Sequence, residues 1–326
     1  MYKRQASELL SVIHLETKLD TAIMNAALSG KDIVLTGNPG DGKTHIIRLL
    51  KNKLESTEKP ICIELDASTL SNKDIYLKWK TARESGMPFV IAINAAVLYS
   101  VYQKYPDFKP IKDAYFQMSR AVVFHDEEVG DSNLVVFDLS KREVLTADIL
   151  KKAIEKLTDE THYKECASCP LNESCDVYKN CNLLNSALFQ ERLFVILQRV
   201  SMQGYHATVR ELQSLIAYLI FGNRSCKTIS RTTGSNQYNI VNLVFSGKGA
   251  LFDAIRNAID PVAISHPTWD EKILLNDISN DSWVDGYEIP AEAIAYDNYE
   301  LFKLRKRQFY FFNKNGEELL KIMDDD

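Results

Sequence analysis

Residues 37–44 read Gly-Asn-Pro-Gly-Asp-Gly-Lys-Thr, a complete G-x-x-x-x-G-K-T loop, with His45 directly behind it. The spacing has a mechanism. Gly37, Gly40 and Gly42 let successive backbone N–H groups turn inward as an anion nest and leave room for a triphosphate against the main chain. Lys43 is placed to reach the β- and γ-phosphates, and the Thr44 hydroxyl to take a position on Mg²⁺. Asn38, Pro39 and Asp41 fill the variable positions, and His45 opens the helix that follows. Working outward, Ile33-Val34-Leu35 is a short apolar run that predicts a buried strand entering the loop. His45-Ile46-Ile47-Arg48-Leu49-Leu50-Lys51 predicts a helix leaving it, whose N-terminus adds its dipole to the site. Strand, glycine loop and helix in this order predict an ATP site.

The chain has 326 residues, 45% of them hydrophobic, enough for a sizeable core divided into two or three modules. A net charge of −5 argues against a generic nucleic-acid coat and leaves room for a local basic patch. The N-terminal residues show no sustained apolar signal core. The longest apolar stretch, Phe89 to Leu98, has roughly half the length of a membrane span and is interrupted by Asn94. The expectation is a cytoplasmic protein without membrane attachment.

Strands and helices alternate after the loop. Ile61-Cys62-Ile63-Glu64-Leu65 predicts a second strand, residues 72–84 a polar helix, and Phe89-Val90-Ile91-Ala92-Ile93 a third strand, apolar on both faces. A helical stretch near 95–120 leads to Ala121-Val122-Val123-Phe124, an acidic turn at 125–131 and a fourth strand at Leu134-Val135-Val136-Phe137. That alternation predicts an α/β fold with a parallel sheet between helices. Four segments are expected: an N-terminal helical segment at 1–29, an α/β core at 30–145, a helical region at 146–222, and a mixed α/β segment at 223–326. Residues 223–237, rich in Ser, Thr and Asn, suit a linker.

The hydrolytic side of the site is less complete. A phosphate-loop enzyme needs an acid at the end of a neighbouring strand to hold the metal, and commonly a second to orient water. The third strand ends Ile93-Asn94-Ala95, so Asn94 is left to face the γ-phosphate, while Ala95 polarises nothing and predicts slow turnover. Asp126-Glu127-Glu128 after the 121–124 run is a rival, or a solvated turn; Asp66 suits metal contact if its strand lies next to the loop strand, Asp138 suits sensing of the γ-phosphate, and capping is the alternative at both. Arg210, in Thr208-Val209-Arg210-Glu211-Leu212, lies beside a helix stripe of apolar residues, where it either reports a bound γ-phosphate or pairs with a surface acid.

Cys166, Cys169, Cys175 and Cys181 form a C-x2-C-x5-C-x5-C set. Zinc in a closed four-thiolate site, stapling a segment poor in apolar residues, is the leading reading; an iron–sulfur cluster takes the same ligands. A knuckle that contacts nucleic acid is a further reading. Cys62 and Cys226 read as ordinary. Near the end, Lys303-Leu304-Arg305-Lys306-Arg307 runs into Gln308-Phe309-Tyr310-Phe311-Phe312. That mixture suits phosphate contact with base stacking, an arginine acting on a neighbouring subunit, or a helix-to-strand transition with wet cations and core aromatics.

The order of these features resembles an AAA+ ATPase: the phosphate loop, Asp66-Ala67-Ser68, the strand ending at Asn94, the strand ending at Asp138, then a helical lid. Arg210 matches the position that family uses as its second sensor. The loop with His45, the four cysteines and the Arg305-Lys306-Arg307 run resemble a narrower bacterial group, the DptF-like ATPases of DNA-phosphorothioation-dependent restriction and related phage-defence ATPases. The resemblance implies ATP bound at Gly37–His45 with Mg²⁺ on Thr44, catalytic work by Lys43, Asn94 and Arg210, and partners among the subunits of a defence or restriction complex. It leaves open DNA contact and self-association. The family pattern has Asn-Glu where this chain has Asn94-Ala95, which favours a non-hydrolysing ATP-binding scaffold as the alternative. A zinc-knuckle DNA-binding protein with a regulatory ATP site is a third reading.

Overall fold

The computed structural model describes residues 14–54, 60–120, 133–232, 238–284, 287, 293–295 and 298–321. Four parallel strands lie in the order β2-β3-β1-β4: β1 (Asp32–Thr36), β2 (Cys62–Glu64), β3 (Phe89–Ala92) and β4 (Leu134–Asp138). Burial follows that order. The inner strands β1 and β3 are buried at every residue, whereas β2 and most of β4 are half-buried, as edge strands are. Register is set by pairs such as Val34 with Ile91 and with Val136.

Alternation along β1 feeds two cores. Val34 faces a cluster with Ile75, Trp79, Leu98, Val101 and Ile111, supplied by α3 (Asn72–Glu84), α4 (Ala95–Lys104) and α5 (Lys109–Arg120). Ile33 and Leu35 face the other cluster, with Ile23 and Ala27 of α1 (Lys18–Leu28) and Ile46, Ile47 and Leu50 of α2 (Lys43–Leu54). Helices therefore cover both faces. The helical stretch expected near 95–120 is two helices, because Pro106 removes an N–H and pushes Tyr105 out of the helical region (φ −132°, ψ 56°). Asp32, 2% exposed, anchors the start of β1: it accepts Trp79 Nε1–H at 2.9 Å and Phe89 N–H at 2.9 Å, and pairs with Arg83 at 3.1 Å. The run 121–124 and the acids Asp126, Glu127 and Glu128 lie outside the described residues.

Contacts divide the chain into two units, residues 1–142 with Thr208–Arg210, and residues 143–207 with 211–326. The second is helical. Its centre is α8 (Ala187–Met202), with Phe189, Leu193, Ile196, Leu197 and Val200 fully buried. Around it stand α6 (Ala147–Leu157), α7 (Asp176–Leu184), α9 (Val209–Phe221, its first two residues belonging to the first unit), α10 (Cys226–Thr232), α11 (Ile240–Ser246), α12 (Ala250–Ala258), α13 (Pro267–Leu275), α14 (Tyr299–Phe312) and α15 (Glu318–Lys321).

Two expectations change here. Residues 226–232 form a helix rather than a linker. Arg224 at its entrance is buried, pairs with Asp176 at 3.0 Å and lies 3.5 Å over the Tyr238 ring. And the described part of 238–321 is helical with one isolated antiparallel bridge, Trp283 to Asn313, rather than mixed α/β. Residues 299–312 stay helical throughout instead of passing into a strand, because Phe309, Tyr310, Phe311 and Phe312 bury together against α8, with Phe189 stacked 4.7 Å from Phe311.

Among the described residues no helix is long and apolar enough to cross a membrane.

Candidate functional site

The loop from 37 to 42 leaves the C-terminal end of β1 and delivers the chain into α2 at Lys43. Parallel sheets bind ligands at this edge, where strand ends and helix N-termini meet. Gly37 (φ 143°) and Gly40 (φ 101°) hold left-handed backbone that other residues rarely adopt. Space forbids a side chain at Gly37 as well: a Cβ there would come 2.7 Å from Asp41 Oδ2 and 2.9 Å from Leu139 Cβ. Within the same unit, Thr208 lies against Gly40, with its hydroxyl 3.4 Å from where a Cβ would stand.

Lys43 is folded back onto its own loop. Its ammonium donates to Gly37 O and Asn38 O, both at 2.8 Å. Burial lowers its pKa, while the carboxylates of Asp41, Asp66 and Asp138 pull the other way. The electrostatic neighbours of the ammonium thus include two strand-end acids. Both also cap turns, the alternative that their positions suggested: Asp66 accepts Ser68 N–H at 2.9 Å, and Asp138 accepts Ser140 N–H at 3.1 Å and its hydroxyl at 2.7 Å. Thr44 is half-buried in the first turn of α2.

Asn94 follows β3, the immediate neighbour of β1, and Ile93 N–H bonds Leu35 O at 2.9 Å. It occupies the N-cap position of α4 without a side-chain capping bond, and Ala95 behind it is exposed. Arg210 is exposed in the first turn of α9.

Sequence reading missed a cluster beside the loop. His45 Nε2 lies 3.0 Å from His14 Nδ1, and His14 Nε2 lies 3.3 Å from Asp20. Burial, with His14 and Arg48 nearby, lowers the His45 pKa, so this ring favours the neutral form. Burial pushes Asp20 up, but hydrogen bonds from His14 and Thr17 outweigh it and hold the carboxyl at about 2. His14 carries no signal in the sequence, being a lone imidazole 31 residues from its partner.

The cysteines sit on short turns, Lys164–Ser168 and Asn172–Ser174, and on α7. All four are reduced: Cys166 and Cys175 half-buried, Cys169 exposed and Cys181 buried. They sense one another. Burial and then the neighbouring Cys175, Cys226 and Cys169 raise the Cys166 pKa, and burial chiefly raises Cys181 to about 11 against a hydrogen bond from Tyr163. Cys226, taken as ordinary, is thus a fifth thiol of the neighbourhood. The donor set suits a soft ion. Among the described residues no group of three or more His, Cys, Asp or Glu stands in an arrangement that would hold a metal ion as it is.

Two cations of α14 are closed off. Lys306, 1% exposed, meets Ile264 O and Asp270, each at 2.5 Å. Arg307 grips Asp260 with two nitrogens (3.2 and 2.5 Å), bonds Asn242 at 2.9 Å and covers the Phe245 ring at 4.7 Å. The face expected to be wet thus holds a buried lysine and a half-buried arginine, and both are spent on intramolecular pairs.

No protein-family model, curated protein or solved structure matches this chain.

Proposed function

We propose that the chain is an ATP-binding, AAA+-like switch protein, an ATPase of slow turnover, working as a subunit of a bacterial defence or restriction complex. The observation that carries the nucleotide reading is the loop itself. Its positive-φ glycines turn between a buried parallel strand and a helix N-terminus, with one lysine hydrogen-bonded to two main-chain carbonyls. Such carbonyls release an ammonium readily to phosphate oxygens, since the exchange replaces neutral acceptors with charged ones. In this reading Gly37–Thr44 holds the phosphates, Thr44 takes the Mg²⁺ side, and Asp138, ending the strand beside β1, faces the γ-phosphate, whereas Asp66 follows a strand that β3 separates from β1. Asn94 positions water and Arg210 answers to the γ-phosphate. The Mg²⁺ supplies charge neutralisation at the phosphates; the chain supplies orientation. The second unit stands in the chain where AAA+ proteins have a helical lid, and the thiols are proposed as a zinc staple within it, with no chemical step assigned. The defence setting and the DNA partner rest on the resemblance alone.

Calorimetry with Mg·ATP tests the core of this. Wild type should bind, and Lys43→Ala should bind at least about 100-fold more weakly. Wild-type protein without measurable affinity would end the proposal.

Ala95 favours a second reading, a scaffold that holds ATP unhydrolysed. Steady-state hydrolysis by wild type beside Ala95→Glu separates the two: appreciable wild-type turnover supports the ATPase, and a strong gain in the variant supports the scaffold.

A further inference from the structure

The residue behind Thr44 ends a chain of three polar side chains. Asp20 Oδ1 lies 3.3 Å from His14 Nε2, and His14 Nδ1 lies 3.0 Å from His45 Nε2. The two rings are tilted by 56°, so they meet through their nitrogens and not as a stack. The far end of the chain is fixed to the backbone. Asp20 closes the capping box of α1, its Oδ2 accepting the N–H and the hydroxyl of Thr17 at 2.8 Å each. Its Oδ1 is the oxygen that faces His14.

A carboxylate cannot donate, and this sets the direction of every bond in the chain. With both rings neutral, Asp20 calls for the His14 proton on Nε2, which leaves His14 Nδ1 an acceptor. His45 must then donate from Nε2, and its own Nδ1 is left an acceptor in turn. That nitrogen meets no hydrogen-bond partner among the described residues. It also stands at the ligand end of the helix. His45 is the third residue of α2, and helical side chains lean toward the N-terminus, here the phosphate loop.

An open acceptor suits only the part of a nucleotide that donates. Phosphate oxygens are acceptors themselves, and an imidazole lone pair repels them. In the ATP reading Lys43 takes the β- and γ-phosphates and the loop amides the α and β. One residue beyond Thr44 the ligand has therefore passed to its sugar, whose hydroxyls are the nearest donors. We propose that His45 Nδ1 accepts a hydrogen bond from a ribose hydroxyl, so that the site selects ribonucleotides over deoxyribonucleotides, with Asp20 and His14 as positioning residues that hold the accepting tautomer. This rests on the ATP-binding reading above and adds sugar selectivity to it.

Calorimetric affinities for Mg·ATP and its 2′-deoxy, 3′-deoxy and inosine analogues test it, at about pH 8, above the ordinary imidazole range. Wild type should bind one deoxy analogue about tenfold more weakly than ATP, the cost of a hydroxyl partner lost. His45→Phe, which keeps a ring and removes the acceptor, should bind ATP and both deoxy analogues alike. Asp20→Asn no longer dictates the His14 tautomer and should shrink the preference to about threefold or less without touching the ligand. Asp20→Asn that weakens all ligands and leaves their ratio intact would reject the positioning role in favour of a structural one. A deoxy preference that survives in His45→Phe would overturn the proposal. A preference against inosine triphosphate that His45→Phe alone removes would overturn the sugar assignment in favour of the base amine. If the variants do not fold, wild type decides: a tenfold preference supports the proposal, and deoxy analogues both within about twofold of ATP reject it. That last result leaves the nucleotide reading standing, whereas wild type that binds no ATP sinks both.

Discussion

Two stretches of this chain look like ligand sites on paper, and folding treats them in contrary ways. In the 37–44 loop the cation Lys43 rests on two carbonyls of its own loop, a partnership that phosphate can displace. In α14 the cations Lys306 and Arg307 are locked to Asp270 and Asp260 and roofed by the rings of Phe302 and Phe245. The difference lies in what each pattern specifies. Spaced glycines dictate backbone geometry, and that geometry is the site. A basic-aromatic mixture dictates only composition, and composition serves a core as well as a surface.

The strongest way to break this contrast is to treat α14 as a surface. Lys306→Ala should lower the urea unfolding free energy by about 3–4 kcal/mol, because it empties a buried position and takes the cation from half-buried Asp270. A loss under about 1 kcal/mol, measured with an unchanged m-value, would show the pair to be exposed after all. At the loop, Gly37→Ala should cost about 2–4 kcal/mol and abolish Mg·ATP binding, since the methyl meets Asp41 and Leu139 while the backbone is held at positive φ. Normal ATP affinity in that variant would mean that the loop is not the binding element.

The thiols stand between the two cases: their spacing is a motif, yet it does not dictate a finished shell. Metal analysis should find about one zinc per chain, and its removal by a chelator should destabilise the protein by about 2–4 kcal/mol. Protein that folds and keeps its melting temperature with no metal would reduce the cysteines to ordinary core and surface residues. Brown colour with visible charge-transfer bands would instead assign an iron–sulfur cluster.

The smallest effect tests the cluster beside the loop. Asp20 falls from 3.8 to about 2 on folding, so its contribution is present above pH 3.8 and is lost as the pH falls through 2. With partial solvent screening that contribution is about 1–2 kcal/mol, and Asp20→Asn should flatten this part of the stability-versus-pH curve. His45 has the opposite chemistry and the same direction. Its folded pKa is lowered from 6.5, so the unfolded state takes the proton first and stability declines as the pH drops below 6.5. His45→Gln should remove that decline; an unaltered slope between pH 7 and 5 would show the ring to be exposed.

The sequence by itself determined the loop, its strand and helix, and the α/β class, because those features are local. Strand burial, glycine spacing and helix periodicity each act within a few residues. The placement of Asn94 just past the strand next to the loop was also legible, from the doubly apolar pattern of residues 89–93. What the tertiary structure alone decided is which charges meet. His14 against His45, Cys226 near Cys166 and Arg307 on Asp260 each join residues far apart in the chain or types common on any surface. Their pairing follows from desolvation: a charge that packing takes out of water must find a partner in space, and the linear order holds no record of which one.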